Sequence, residues 1–166
     1  MMTALITGGT SGIGSAFAEA LARRGFSLVL VARGAERLES TASRLSAEYA
    51  VEVETLEADL SDADDVARVA ERIEDPRAPI DMLVNNAGFS VKRTYQAEGL
   101  DLHHRGIDVM AKAVLDLSSA AARAMTARGE GWILNVSSTS GEVTMGPYSA
   151  LKAWCTTYTC LLYTSD

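Results

Sequence analysis

The chain reads Thr7-Gly8-Gly9-Thr10-Ser11-Gly12-Ile13-Gly14 between an apolar run, Ala4-Leu5-Ile6, and a helical pattern that begins near Ile13. Glycine has no Cβ, so a glycine-rich turn can bend sharply and lets a bulky anion approach the main chain. The helix that follows directs unpaired backbone N–H groups at that anion. A strand, a glycine turn and a helix in this order predict a binding site for a pyrophosphate.

The glycines Gly8, Gly12 and Gly14 follow the spacing G-x-x-x-G-x-G. This spacing differs from the G-x-G-x-x-G of many dinucleotide-binding folds. No Lys-Ser or Lys-Thr follows the turn, as a P-loop requires, so the pattern argues against a nucleoside triphosphatase. Taken alone, the same glycines also fit a flexible loop before a helix, and the rest of the chain distinguishes the two readings.

The composition is typical of one globular domain, with 166 residues, 48% hydrophobic and 22% charged. A net charge of −7 argues against nonspecific binding to nucleic acid. There is no apolar stretch of roughly 18 residues, and the N-terminus shows no signal peptide. The two cysteines, Cys155 and Cys160, supply neither a disulfide framework nor a metal cluster. We therefore expect a cytoplasmic protein without a metal, a membrane anchor or a nucleic-acid partner.

Strand patterns and helix patterns alternate along the chain. Apolar runs predict strands buried on both faces, whereas the alternating run 51–56 predicts a strand at a sheet edge. The predicted strands are 4–6, 26–32, 51–56, 80–84 and 132–136. Between them, apolar residues recur at helical spacing, with an N-cap predicted at Ser61 and a mostly helical segment from about 99 to 128. The pattern predicts an α/β fold, a doubly wound parallel sheet with helices on both faces.

Four motifs follow these elements in a fixed order. They are Thr7-Gly8-x-x-x-Gly12-x-Gly14 after the first strand, Asn85-Asn86-Ala87-Gly88 after the fourth, Ser138 after the fifth, and Tyr148-x-x-x-Lys152. In combination they resemble the short-chain dehydrogenase/reductase family from Thr3 to about Thr157. The resemblance implies a Rossmann-like dinucleotide-binding domain at residues 1–159 with strand order 3-2-1-4-5. It also implies an oxidoreductase that transfers hydride between a nicotinamide and a carbonyl or secondary alcohol.

Tyr148 and Lys152 are four residues apart, so a helix places them on one face, where the ammonium favours the phenolate. The resemblance implies that Tyr148 exchanges the proton and that Lys152 holds the nicotinamide ribose. It also implies that Ser138 hydrogen-bonds the substrate oxygen. Ser138 is preferred to Ser137 because Gly141 completes the family's Ser-x-x-Gly pattern. In isolation, the Tyr-Lys pair would fit a solvated helix surface better than a catalytic site.

The cofactor preference is predicted from Val31-Ala32-Arg33, where no acidic residue ends the second strand. A guanidinium matches phosphate geometry, so NADP is favoured over NAD, with Arg33 and Ser11 as phosphate ligands. The resemblance implies that Asp59-Leu60 flanks the adenine and that Asn86-Ala87-Gly88 lines the adenosine side, with Asn85 open to a structural role. The predicted cofactor-binding residues are Gly8, Thr10, Ser11, Gly12, Ile13, Gly14, Arg33, Asp59, Leu60, Asn86, Ala87, Gly88, Tyr148 and Lys152.

One residue departs from the family pattern. The chain reads Asp108-Val109-Met110 where many members have Asp-Val-Asn, and a thioether cannot replace an amide in a proton relay. Either water alone carries the relay or the activity is weak, which leaves a nucleotide-binding regulatory or scaffold protein as the alternative. His103 and His104 are expected to be exposed helix residues and not metal ligands. A methyltransferase would not need the Tyr-Lys pair.

Residues 160–166 match the translation of a transposon-end sequence used in sequencing adapters, so we predict an added tail there. Members of the family continue with two more strands and the helices that cover the substrate. We therefore expect an incomplete domain whose fifth strand has a long, open, apolar edge, and a 166-residue chain that aggregates and is inactive by itself. The resemblance implies a small-molecule substrate and a homo-oligomer for the intact protein.

Overall fold

Short runs of leucine and β-branched residues form a parallel sheet in the computed structural model, which describes residues 1–91 and 98–164. The strands are β1 (Thr3–Thr7), β2 (Ser27–Ala32), β3 (Val53–Glu57), β4 (Met82–Asn85) and β5 (Trp132–Asn135). Their order is β3-β2-β1-β4-β5, and every neighbouring pair is parallel. The predicted doubly wound sheet and its strand order are confirmed.

The connections between strands are helical, as parallel pairing requires. The α-helices are α1 (Gly12–Ala22), α2 (Ala35–Tyr49), α3 (Ala63–Glu74), α4 (Asp101–Ile107), α5 (Ala113–Arg128) and α6 (Pro147–Thr164). A π-helical turn, Asp108–Lys112, joins α4 to α5, and a 3₁₀ turn, Thr139–Glu142, precedes α6. The prediction that the segment 99–128 is mostly helical is confirmed, and the π-turn within it widens the hydrogen-bonding loop around Met110.

The core has two layers because successive side chains of a strand point to opposite faces of the sheet. Leu5 of β1 packs into the layer that contains Val69 of α3 and Leu117 of α5. Ile6, its neighbour, packs into the layer that contains Leu21 of α1 and Leu38 of α2. All six side chains are buried, so both faces of the central strand are covered, as its uninterrupted apolar run predicts.

One edge of the sheet agrees with the prediction from the sequence, and the other is shorter than predicted. The β3 edge carries exposed Glu54 and Glu57, as the alternating pattern predicted. At the other edge, β5 has only four residues, and Trp132 is 52% exposed. The predicted long edge is therefore short, which limits the backbone available for pairing with a second chain.

Two local predictions were wrong. The N-cap of α3 is Asp62, whose carboxylate accepts hydrogen bonds from the backbone N–H groups of Asp64 and Asp65, whereas Ser61 bonds to Asp59. His103 is buried with 5% exposure, although its neighbour His104 is exposed as expected. Its position on the inner side of α4 explains the burial, which a pair of adjacent histidines does not reveal.

Two further findings for the described ranges concern membrane-spanning helices and metal sites. None of the helices there is long and apolar enough to cross a membrane. Nor do any three histidine, cysteine, aspartate or glutamate side chains in those ranges converge to hold a metal ion. Helix α6 continues into the predicted tail as far as Thr164, and the last two residues of that tail lie outside the described ranges.

Candidate active site

The glycine turn after β1 forms an open backbone cradle. Gly8 and Gly12 adopt left-handed conformations with φ of +68° and +53°, which favour glycine. A Cβ on Gly14 would collide with the carbonyl oxygen of Gly8 and with the side chain of Asn86. Helix α1 begins at Gly12, and the Ser11 side chain makes no capping hydrogen bond to it. The N–H groups of the first helical turn therefore lack intrahelical acceptors and are available to an anion.

The cradle is fastened to the loop after β4. The Thr7 hydroxyl accepts hydrogen bonds from the backbone N–H groups of Asn86 and Ala87, each at 3.0 Å. In return, the Asn86 amide donates to the Thr7 carbonyl oxygen at 3.0 Å. The neighbouring Asn85 amide donates to Ser118 Oγ at 3.0 Å and to Asn135 Oδ1 at 2.9 Å. Asn85 thus joins the ends of β4 and β5, and Asn86 holds the cradle in place through hydrogen bonds to its backbone.

A cleft of about 800 Å³ runs along the carboxyl ends of the strands. In an open parallel sheet this is where ligands bind, because the strand order reverses there. The predicted cofactor residues that line the cleft are Gly8, Thr10, Ser11, Arg33, Asp59, Leu60, Ala87 and Gly88. The other predicted residues, Gly12, Ile13, Gly14, Asn86, Tyr148 and Lys152, do not line it. Gly14 and Asn86 shape the cradle, while Gly12 and Ile13 are exposed where α1 begins.

Several lining residues were missed by the sequence analysis. Those with polar side chains are Glu36, Arg37, Ser40 and Arg105, and those with apolar side chains include Phe89 and Val109. Arg37 and Ser40 lie one turn apart in the first turns of α2, which begins two residues after Arg33, so their spacing on one helix face is a signal that could have found them. Arg105 carries no such signal, since it reaches the cleft from a helix remote in sequence.

Asp59 is the most densely bonded side chain of the cleft. Its Oδ1 accepts from the backbone N–H and the hydroxyl of Ser61, at 3.0 and 2.7 Å, and its Oδ2 accepts from Arg105 at 3.0 Å. Burial by itself would raise the pKa of this carboxyl group. The bonds from Ser61 and the charges of Arg105 and Arg33 outweigh burial, so the pKa lies below its usual value. Asp59 is therefore a carboxylate at neutral pH.

Tyr148 and Lys152 lie on one face of α6, as their spacing predicted. Lys152 Nζ is 5.8 Å from the centre of the Tyr148 ring and donates to the Val136 carbonyl oxygen at 2.7 Å. The Lys152 side chain is buried, with 5% exposure, and Tyr148 is half-buried. Burial lowers the pKa of the Lys152 ammonium, and only the neighbouring Cys155 opposes that shift. A buried cation thus lies beside a partly exposed phenol.

The two serines after β5 have different surroundings. The Ser137 hydroxyl bonds to the Lys152 carbonyl oxygen at 2.9 Å and to Thr156 Oγ1 at 2.6 Å, so it is directed at α6. The Ser138 hydroxyl accepts from the backbone N–H of Ser140 at 3.1 Å, and its own hydrogen has no acceptor among the described residues. A Cβ on Gly141 would lie 2.8 Å from the Ala153 nitrogen. Glycine therefore lets this loop rest on α6.

Met110 lies beside the cleft at the point where the family's asparagine would be. A Cβ on Gly88 would lie 3.2 Å from the Met110 sulfur and 3.8 Å from Lys152 Nζ. Gly88 lines the cleft and Met110 is buried, so the thioether fills apolar space next to the lysine. A thioether offers no proton donor, and position 110 therefore cannot relay protons to Lys152.

Comparison with known proteins decides the family. A family model described as short chain dehydrogenase matches residues 2–163 of the chain. The chain belongs to the short-chain dehydrogenase family. The resemblance carried by the glycine turn, the Asn-Asn-Ala-Gly loop, Ser138 and the Tyr-Lys pair is thereby confirmed.

A dehydrogenase and two reductases resemble the chain over nearly its whole length. A short-chain dehydrogenase from Sphingobium yanoikuyae, solved in complex with NADPH, is 38% identical with a TM-score of 0.93, over 98% of this chain and 64% of that one. L-sorbose reductase from Gluconobacter frateurii, solved with NADPH and L-sorbose, is 30% identical with a TM-score of 0.91, over 98% and 63%. Very-long-chain 3-oxoacyl-CoA reductase-A from Danio rerio is 34% identical, over 91% of this chain and 49% of that protein. The chain thus spans about half the length of this reductase.

Proposed function

We propose that the whole protein is an NADP-dependent oxidoreductase that transfers hydride between the nicotinamide and a carbonyl or secondary alcohol. The observation that carries this proposal is the position of Gly88, which lines the cleft and lies next to buried Lys152. The cradle for a pyrophosphate and the Tyr-Lys pair therefore border one continuous region. Membership of the short-chain dehydrogenase family supports the same reaction class.

The residues of this chain supply proton transfer and orientation. A bound nicotinamide cofactor supplies or accepts the hydride. In the reducing direction Tyr148 donates its phenolic proton to the substrate oxygen, and in the oxidising direction it accepts that proton. The free hydrogen of the Ser138 hydroxyl stabilises the negative charge that develops on the same oxygen. The Lys152 ammonium stabilises the phenolate and holds the ribose hydroxyls of the cofactor.

The cofactor preference rests on the cationic side chains of the cleft. Arg33 and Arg37 line it beside Ser40 and Ser11, and a guanidinium binds a phosphate through two parallel hydrogen bonds. Glu36 is the one acid of α2 that lines the cleft, and it is outnumbered by these cations. The dehydrogenase from Sphingobium and the sorbose reductase from Gluconobacter, both solved with NADPH, support NADP over NAD for this chain.

The decisive experiment compares Tyr148→Phe with wild type in the full-length gene product. NADPH absorbance is followed with a panel of ketones and, for the reverse direction, NADP with secondary alcohols. We expect kcat to fall by about 10²- to 10⁴-fold, because the phenylalanine ring has no proton to donate. The affinity for NADPH, measured by fluorescence, should fall by no more than about threefold, since the cradle and the arginines of the cleft keep their contacts with the cofactor.

Tyr158→Phe is the matched control. Tyr158 lies on the same helix and stacks on Trp154, and its hydroxyl donates to the Leu115 carbonyl oxygen at 3.4 Å, away from the cleft. Removing that hydroxyl should leave turnover unchanged. Equal turnover by Tyr148→Phe and wild type would overturn the proposed mechanism.

A second candidate is a nucleotide-binding regulatory or scaffold protein with little catalysis. The buried Met110 favours it, because the thioether beside Lys152 interrupts the relay that an asparagine provides in many members. Tight NADPH binding with no turnover of any carbonyl, both in wild type and in Met110→Asn, would favour this candidate. Turnover that increases in Met110→Asn would favour the oxidoreductase.

For the whole protein, we also propose that residues 1–159 form the dinucleotide-binding domain and that residues 160–166 are an added tail. The protein acts on a small molecule in the cytoplasm and assembles as a homo-oligomer. Light scattering of the full-length gene product tests the oligomer, and its coding sequence read from genomic DNA tests the tail. A genomic sequence that continues through residues 160–166 unchanged would overturn the added tail.

A further inference from the structure

Arg105 joins the two walls of the cleft. It lies on α4, whereas its partner Asp59 follows β3, 46 residues earlier in the chain. Its guanidinium donates to Asp59 Oδ2 at 3.0 Å and lies 5.9 Å from the centre of the Phe89 ring. All three residues line the cleft, so the ion pair spans it at the end where Asp59-Leu60 would flank the adenine.

The ion pair contributes little to folding. The Arg105 and Asp59 side chains are 40% and 36% exposed, and pairs in such contact with solvent stabilise proteins only slightly. Asp59 is already oriented by Ser61, which occupies its other oxygen, so the carboxylate does not need the arginine to stay in place. The main consequence of the pair is therefore the bridge across the cleft.

The guanidinium also has surface that faces a ligand. The Arg105 side chain is 40% exposed and lines the cleft, although its Nε is buried and has no acceptor among residues 1–91 and 98–164. A planar guanidinium stacks on aromatic rings, and the adenine ring is aromatic and carries acceptor nitrogens. The chemistry of this side chain therefore fits a purine base.

We infer that Arg105 is an adenine clamp: bridged to Asp59, it closes the adenine end of the cleft over the bound cofactor and contacts the ring. This inference rests on the proposed function, since it requires a dinucleotide in the cleft. Arg105 acts on the half of the cofactor that is remote from the chemistry. Its removal should weaken binding and leave the chemical step unchanged.

The test measures binding of the two cofactor halves separately. Calorimetry with NADPH, with 2′,5′-ADP and with nicotinamide mononucleotide is performed on the full-length gene product, as wild type, Arg105→Ala and Arg105→Lys. We expect Arg105→Ala to bind NADPH and 2′,5′-ADP about fivefold more weakly, as loss of a partly exposed ion pair and one donor predicts. Nicotinamide mononucleotide should bind equally to all three. Arg105→Lys, which keeps the charge but loses Nε and the planar group, should be intermediate.

Arg123→Ala is the matched control. Arg123 of α5 pairs with Glu74 of α3 at 2.7 Å and does not line the cleft. It should bind both halves as wild type does. In a double-mutant cycle with Asp59→Asn, the effect of Arg105→Ala on 2′,5′-ADP should shrink, because the bridge is already broken.

The outcomes separate the clamp from the proposed function. Wild-type binding of 2′,5′-ADP that Arg105→Ala leaves unchanged would overturn the clamp and leave the function intact. An equal loss for both cofactor halves, together with a lower midpoint of urea unfolding, would show a structural role and also overturn the clamp. Wild type that binds neither NADPH nor 2′,5′-ADP would overturn the function and the clamp together.

Discussion

The proposed catalytic end of the site, formed by Tyr148 and Lys152 beside the cleft, and the adenosine end of the cleft differ in the exposure of their charged side chains. At the catalytic end, Lys152 is buried and its ammonium is bonded to the Val136 carbonyl oxygen. At the adenosine end, Arg33 is exposed and Asp59 and Arg105 are about one-third exposed or more. Burial couples a charge to the stability of the fold, whereas a solvated charge affects mainly the ligand. Substitutions at the catalytic end should therefore change the stability of the fold, whereas those at the adenosine end should change mainly the binding of the cofactor.

The largest expected effect concerns the glycine cradle that lies between the two ends. A Cβ on Gly14 would overlap the Gly8 carbonyl oxygen, which belongs to the backbone and cannot move aside cheaply. Gly14→Ala should lower the free energy of unfolding by about 1–3 kcal/mol, a typical cost of overpacking, and abolish NADPH binding. Urea unfolding and fluorescence titration measure the two effects.

Gly34→Ala is the control for the cradle. Gly34 also lines the cleft, but a Cβ there would meet no atom within 4 Å. Its free energy of unfolding should stay within about 0.5 kcal/mol of wild type. Equal destabilisation by the two substitutions would show that the close approach of Gly14 to Gly8 does not matter.

An intermediate effect is expected at the adenosine end. Arg33→Ala should weaken NADPH binding by about tenfold, the value of a charge-assisted hydrogen bond, and leave NADH binding unchanged. Stability should not change, because Arg33 is exposed. Arg44→Ala, which removes a cation of α2 that pairs with Glu48 outside the cleft, is the control. A parallel loss of NADH affinity would indicate that Arg33 does not recognise the 2′-phosphate.

The smallest effect is a pair of opposite pH dependences at the catalytic end. Burial lowers the pKa of Lys152 from 10.5, so just below pH 10.5 the unfolded chain binds more protons and stability rises with pH. Burial raises the pKa of Cys155 from 9.0, so just above pH 9.0 the folded chain binds more protons and stability falls with pH.

Two variants separate these contributions. The free energy of unfolding lost in Lys152→Met should grow as the pH rises toward 10.5, whereas Cys155→Ala should lose less relative to wild type as the pH rises above 9.0. Urea unfolding of wild type and both variants across this range provides the measurement. Changes of the same sign in both variants would contradict the assignment of the two shifts to burial.

The sequence by itself determined the glycine turn, the alternation of strands and helices and the members of the Tyr-Lys pair, and the resemblance that they carry implied the family and the order of the strands. The turn, the alternation and the pair depend on local geometry, because a glycine without a Cβ, a strand of period two and a helix of period 3.6 show in consecutive residues. The positions of Gly8 and Gly14 in the cradle and of Tyr148 and Lys152 on one helix face followed in this way. Each can be read without knowing what packs against it.

Only the tertiary structure decided which polar groups meet across the cleft. Arg105 reaches Asp59, which lies 46 positions earlier in the chain, and His103 is buried although its neighbour is exposed. The Ser137 hydroxyl donates to the carbonyl oxygen of Lys152, a contact between the loop after β5 and α6. Such contacts are absent from any local pattern, because the packing of remote helices on a common sheet sets them.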